Sequence, residues 1–133
     1  MPTIEKKRSI LLVDDYPDTL EMWALYLEIC GYTVAVSSDG LQAVELAGRM
    51  QPDLIVLDVD LPGISGIEAA TRLKSVPATA RIPLIAATGH SHLPLDALRT
   101  CGFEAILVKP CPPALLTAEI QRILDYTPAV GTQ

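Results

Sequence analysis

At 133 residues the chain has the size of one ordinary domain, long enough to bury one core and too short for two. Half of its residues are hydrophobic but only 5% are aromatic, so the core must be built from Leu, Ile, Val and Ala, which suits helices layered on a sheet. A net charge of -6 argues against direct binding to nucleic acid, which needs a clustered excess of Lys and Arg; the one basic run, Lys6-Lys7-Arg8, is short and reads as a solvated flank.

After the polar flank of residues 1–8, Ser9 to Val13 (SILLV) is a continuous apolar run that stops abruptly at Asp14-Asp15, the pattern of a strand buried on both faces. From Pro17 to Cys30 the residues Leu20, Met22, Trp23, Leu25, Tyr26, Leu27 and Ile29 recur at helical spacing, and Gly31 ends the helix. Tyr32 to Val36 is β-branched and strand-like, and Ser-Asp-Gly then turns the chain into a second helix, LQAVELAGRM. The unit repeats with a strand over Asp53 to Leu57, a Pro/Gly loop over Leu61 to Ser65, and a helix over Gly66 to Ser75. Pro77 to Arg81 reads as a connector, and Ile82 to Ala87 as a fourth strand that admits Pro83 only near its start. A short helix around DALRT, ended by Gly102, precedes a fifth strand over Ala105 to Val108. Pro113 to Tyr126 is a last amphipathic helix, and residues 127–133 form a polar tail.

Five strands alternating with five helices predict one α/β domain over residues 9–126, a parallel sheet wound with helices on both faces. Periodicity leaves the strand order open. The MPTIEKKRS start lacks the apolar stretch of a signal peptide, and no run approaches the ~18 apolar residues that span a bilayer, so a cytoplasmic protein without membrane contact is expected. Cys30, Cys101 and Cys111 lack metal-ligand spacing and read as free thiols packed in the core or along its edge.

Ligands of an open α/β sheet bind beyond the carboxyl ends of its strands, so the informative residues are those that follow each apolar run. They are Asp14 and Asp15 after the first strand, Asp58 after the third, Thr88 with Gly89 after the fourth, and Lys109 with Pro110 after the fifth. Alone, each has a plainer reading: acids opening a helix, a capping aspartate, a structural threonine, a solvated lysine. Their shared position on one rim favours a site. Clustered carboxylates need a neutralising cation, and all-oxygen donors suit Mg²⁺. A carboxylate can also act as a nucleophile toward a phosphoryl donor, with Lys109 offsetting the phosphoryl charge and Thr88 donating its hydroxyl.

In combination these residues closely resemble the response-regulator receiver family of two-component signalling, over residues 8–126, either in its stand-alone, chemotaxis-regulator-like form or as the receiver of a larger hybrid kinase. The motifs that carry the likeness are ILLVDD, LIVLDVDLPGISG, IAATG and AILVKP. The resemblance implies a flavodoxin-like strand order 2-1-3-4-5. It implies that Asp58 accepts a phosphoryl group from a sensor histidine kinase or histidine phosphotransfer protein, with Mg²⁺, or Mn²⁺ in its place, held by Asp14, Asp15, Asp58 and the Asp60 backbone carbonyl. By the same likeness Thr88 moves toward the phosphoryl group, Lys109 contacts its oxygen, and the Lys109-Pro110 bond is cis. Phosphorylation would then change a partner-binding face built from the fourth helix, the fifth strand and the fifth helix, in a monomer or a phosphorylation-linked dimer.

Three features depart from the family pattern. Ile106 stands where the family usually carries a switch aromatic, so inward rotation of a ring cannot report phosphorylation, and the expectation is switching that is either weaker or differently propagated. Asp60 and His90 sit two residues beyond Asp58 and Thr88, beside the path of an attacking water, and predict an unusual dephosphorylation rate. The segment GHSHLPLDALRTCG, with Pro94, leaves little regular helix and predicts a mobile surface.

Two other functional classes compete. The Asp58-x-Asp60 pair resembles the nucleophile motif of haloacid-dehalogenase phosphatases, but that motif follows a first strand, and Leu61-Pro62 replaces its usual continuation. A receiver-like interaction module that is never phosphorylated would account for Ile106, yet it has no need of the full set Asp14, Asp15, Asp58, Thr88 and Lys109. No Gly-rich loop follows the first strand, which weighs against a nucleotide or flavin. The expectation is a phosphoacceptor signalling domain, not a turnover enzyme, whose output runs through partners.

Overall fold

The computed structural model describes residues 7–89 and 95–126. In chain order the elements are β1 (Ser9–Val13), α1 (Pro17–Ile29), β2 (Thr33–Ser37), α2 (Gly40–Met50), β3 (Leu54–Asp58), α3 (Gly66–Lys74), α4 (Pro77–Ala80), β4 (Leu84–Thr88), α5 (Leu95–Thr100), β5 (Phe103–Val108) and α6 (Pro113–Tyr126). The five strands pair in parallel in the order β2-β1-β3-β4-β5, as the family resemblance implies.

The unbroken apolar runs follow from burial on both sides of this sheet, because successive strand side chains point to opposite faces. Leu11, Val13, Ile55, Leu57, Leu84 and Ala86 pack with Ala43 and Ala47 of α2, Ala69, Ala70 and Leu73 of α3, and Leu98 of α5. Their neighbours Ile10, Leu12, Leu54, Val56, Ile85 and Ala87 pack with Trp23 and Leu27 of α1 and with Leu116, Ile120, Ile123 and Leu124 of α6. Small Ala residues at the contacts of α2 and α3 let those helices lie close to the strands.

Local chemistry sets the helix ends. The Asp39 carboxylate accepts from the Gln42 N–H at 2.7 Å to open α2, and the Ser65 hydroxyl accepts from the Glu68 N–H at 3.1 Å to open α3. Gly31 and Gly102 leave α1 and α5 at φ 103° and 104°, a region costly for any residue with a Cβ.

Several boundaries differ from the sequence expectation. β3 runs one residue later, so Asp58 is the last residue of the strand rather than the first beyond it. β2 likewise begins at Thr33, β4 begins after Pro83, and β5 begins earlier, at Phe103. The expected connector holds a sixth helix, α4, whose four residues are too few to show periodicity. It is tied down by side chains: the buried Thr79 Oγ1 donates to the Leu73 carbonyl at 2.6 Å. Lys74 Nζ donates to the carbonyls of Ala80 and Ile82 at 3.0 and 2.8 Å. Burial pushes the Lys74 ammonium below its usual range, with Glu104 opposing. Lys74→Met keeps the stem and deletes both bonds, so the urea midpoint should fall by the equivalent of about 1–3 kcal/mol; an unchanged midpoint would contradict this role.

Packing narrows the helical stripe of α1 to two buried residues and corrects the expectation for Cys30. Of the apolar residues of α1 only Trp23 and Leu27 are buried, while Met22, Leu25, Tyr26 and Ile29 are exposed. Cys30 is also exposed, at the C-cap of α1 and away from the core, whereas Cys101 is half-buried and Cys111 buried. α5 is short, six residues, as expected; His90 and Pro94 lie outside the described residues.

Candidate functional site

Parallel pairing brings the strand ends to one rim. Val13 is in register with Leu57, Asp58 with Ala87, and Thr88 with Val108, so Asp14, Asp58, Thr88 and Lys109 emerge side by side. The ladder continues one step past several strand ends: the Asp14 N–H donates to the Ser37 carbonyl at 3.1 Å, Val59 N–H to Ala87 at 2.9 Å, and Lys109 N–H to Thr88 at 2.8 Å. Sheet hydrogen bonds therefore fix the backbone of the site. Asp14, Asp58 and Thr88 are buried, and Asp15 is exposed.

Lys109 Nζ lies 2.5 Å from Asp14 Oδ2 and 3.3 Å from Asp58 Oδ2, a single cation between two buried carboxylates. The other carboxylate oxygens accept backbone donors, Asp58 Oδ1 from the Asp60 N–H at 3.0 Å and Asp14 Oδ1 from the Tyr16 N–H at 2.9 Å. Burial pushes the Asp58 carboxyl above its usual range and the Asp14 charge adds to this, against the Asp60 N–H and Lys109. Burial alone would lower Lys109, but its hydrogen bond to Asp14 and the charges of Asp14 and Asp58 together outweigh that and hold it above its usual value. The lysine is therefore a cation at neutral pH.

One carboxylate oxygen from each of Asp14, Asp15 and Asp58 falls within 4.8 Å of the others. Three hard oxygen donors, one of them open to water, fit a small divalent cation that keeps part of its hydration shell. Lys109 alone does not balance three acids, which leaves charge for such a cation to neutralise.

Asp60 is exposed and meets the site through its backbone amide. Ile106 lies off the rim, opposite Ala86 in register, half-buried against the cluster under α2, α3 and α5. His90 is outside the described residues. The Lys109-Pro110 bond is cis, in agreement with the resemblance. Just beyond it the Cys111 carbonyl accepts from Trp23 Nε1 at 3.2 Å.

Two contributors went unrecognised in the sequence. Ser37 supplies the carbonyl that holds Asp14. Gly66 donates its N–H to the Val59 carbonyl at 2.9 Å, and a Cβ on it would lie 2.2 Å from the Asp58 carbonyl oxygen. Its only sequence signal was a glycine directly after the helix-capping serine.

A family model, the response regulator receiver domain, matches residues 10–121. The chain is 38% identical over 122 residues to the phosphate regulon transcriptional regulatory protein PhoB of Pseudomonas aeruginosa, covering 90% of this chain and 53% of PhoB, so it spans about half the length of that relative. It is 33% identical to the polar-differentiation response regulator DivK of Brucella anthropi, covering 77% of this chain and 85% of DivK. Among solved structures, the receiver domain of sensor histidine kinase PA1611 from Pseudomonas aeruginosa, which has a magnesium ion coordinated in its active site cleft, superposes with a TM-score of 0.83 at 30% identity, covering 90% of this chain and 99% of that one. With the fold, the strand order and a family match spanning most of its length in agreement, the chain belongs to the response regulator receiver domain family.

Proposed function

We propose that the chain accepts a phosphoryl group on Asp58 from a sensor histidine kinase or a histidine phosphotransfer protein, in a Mg²⁺-dependent reaction, and thereby changes which partners bind it. The observation that carries this reading is Lys109 Nζ set between Asp14 Oδ2 and Asp58 Oδ2 on the carboxyl rim of the sheet. An Asp58 carboxylate oxygen attacks phosphorus as the bond from phosphorus to the donor nitrogen breaks, and the departing imidazole takes up a proton. Lys109 then exchanges a carboxylate for a phosphoryl oxygen, and the Thr88 hydroxyl donates to a second. Asp14, Asp15, Asp58 and the Asp60 carbonyl would hold Mg²⁺, or Mn²⁺, which neutralises the remaining phosphoryl charge.

The magnesium ion in the related PA1611 receiver supports the metal, and the regulatory names of PhoB and DivK support a signalling role. Phosphorylation is read out on the face of α5, β5 and α6, where Val108 and Leu115 are exposed, by a protein partner and without direct contact to nucleic acid. The chain works as a monomer or a phosphorylation-linked dimer in the cytoplasm, as a signalling domain and not a turnover enzyme. No helix among the described residues is long and apolar enough to cross a membrane. Asp60 and His90 tune the lifetime of the acyl phosphate, and Ile106 takes the place of an aromatic switch.

The test is intact mass after incubation with Mg²⁺ and a small acyl phosphate. The native chain should gain one hydroxylamine-labile phosphoryl group, absent from Asp58→Asn and from a chelated control. If neither the acyl phosphate nor a histidine kinase labels the chain, a constitutive interaction module replaces this reading.

A further inference from the structure

Gly40 is the first residue of α2, and a Cβ on it would lie 2.7 Å from Ile64 Cγ1, 3.1 Å from the Ile64 carbonyl oxygen and 3.2 Å from Ile64 Cδ1. The bare first turn of α2 is thus the wall against which the loop between β3 and α3 rests. That loop has little freedom elsewhere. Its near end leaves Asp58, its far end is pinned by Gly66 N–H to the Val59 carbonyl, and Ile64 is packed against the core. Within it the Asp60 N–H holds Asp58 Oδ1.

α2 cannot retreat to make room either. Its first turn is closed by Asp39 on the Gln42 N–H, and the Ser37 hydroxyl donates to the Asp39 carbonyl at 3.0 Å. The carbonyl of the same Ser37 holds the Asp14 N–H. Added bulk at position 40 presses first on the Ile64 side chain and then on the Ile64 carbonyl, and through it on the loop that orients Asp58, with the turn that orients Asp14 on the other side.

We infer that Gly40 is a positioning residue for the acidic site: its missing side chain lets α2 and Ile64 close together and so sets the spacing of Asp14 and Asp58. This rests on the phosphoacceptor reading of the site and deepens it. A displacement of a few tenths of an ångström in two of the three carboxylates should weaken Mg²⁺ binding about tenfold and slow phosphorylation of Asp58 comparably.

The experiment is calorimetric titration of Mg²⁺ into the full chain as native protein, Gly40→Ala and Gly40→Ala/Ile64→Ala, with thermal unfolding of each. Folded Gly40→Ala should bind Mg²⁺ about tenfold more weakly, and the double variant, relieved of the Ile64 side-chain clash, should recover most of that loss. A glycine that matters only for stability would lower the unfolding temperature and leave the Mg²⁺ affinity of the folded protein unchanged, which overturns the inference. If Gly40→Ala does not fold, the partly relieved Gly40→Ala/Ile64→Val variant takes its place: weaker Mg²⁺ binding than in Gly40→Ala/Ile64→Ala supports the inference, and equal binding overturns it. A native chain that binds no Mg²⁺ overturns the site reading and this inference together, whereas native binding with unchanged binding in Gly40→Ala overturns the inference alone.

Discussion

Gly66→Ala is expected to destabilise the chain by at least about 3 kcal/mol, at the upper end for an overpacked core. The added methyl would stand 2.2 Å from the Asp58 carbonyl oxygen and 2.7 Å from Val59 Cα, and both obstacles are backbone of the segment that carries Asp58. No rotamer change relieves such a contact, so β3 or α3 must move, and labelling of Asp58 should fall with stability. Gly48→Ala is the matched control. Gly48 lies within α2, and a methyl added there would meet nothing within 4 Å, so alanine should stabilise by about 0.5–1 kcal/mol through helix propensity. Urea unfolding of the two variants checks both signs; a Gly66→Ala midpoint equal to that of the native chain would show that the loop yields freely.

Lys109→Met is expected to move metal binding and phosphoryl transfer in opposite directions. In the native chain the ammonium is the counter-ion of Asp14 and Asp58, and a divalent cation must share those carboxylates with it. Its removal should tighten Mg²⁺ binding, since the two acids then keep only the Asp60 and Tyr16 N–H donors and no competing ammonium among the described residues. Phosphorylation by an acyl phosphate should nevertheless slow about 10²–10³-fold at saturating Mg²⁺, because the positioned donor for the developing phosphoryl charge is gone. Without metal the variant should also lose about 3 kcal/mol of stability, as expected when one partner of a buried pair is deleted, and Mg²⁺ should restore part of it. Calorimetry, intact mass and urea unfolding read the three effects. Labelling at the native rate would remove Lys109 from the chemistry.

The elements were legible because two-sided burial writes itself as short continuous apolar runs: Ser9–Val13 is recovered residue for residue, and so is Pro113–Tyr126. The rim residues were legible for a related reason, since a polar side chain that ends such a run stands at the carboxyl edge where ligands bind. What escaped was non-local. α1 is apolar at every position from Met22 to Leu27, so periodicity could not show that Trp23 and Leu27 alone turn fully inward. The lysine that caps two carbonyls beyond its own helix carries no periodic signal, and neither does α4. Glycine contacts such as Gly40 against Ile64 and Gly66 against Asp58 are absences of atoms, visible only once the facing backbone has been placed.

The buried indole of α1 has an optical consequence. Trp23 is the chain's sole tryptophan, and its Nε1 is bonded to the Cys111 carbonyl two residues beyond Lys109. A rearrangement that moves the backbone between Lys109 and Cys111 would therefore be expected to change the indole's hydrogen bond and with it the polarity around the ring. Emission excited beyond the absorption of the four tyrosines thus comes from one known place, an unlabelled spectroscopic gauge beside the rim.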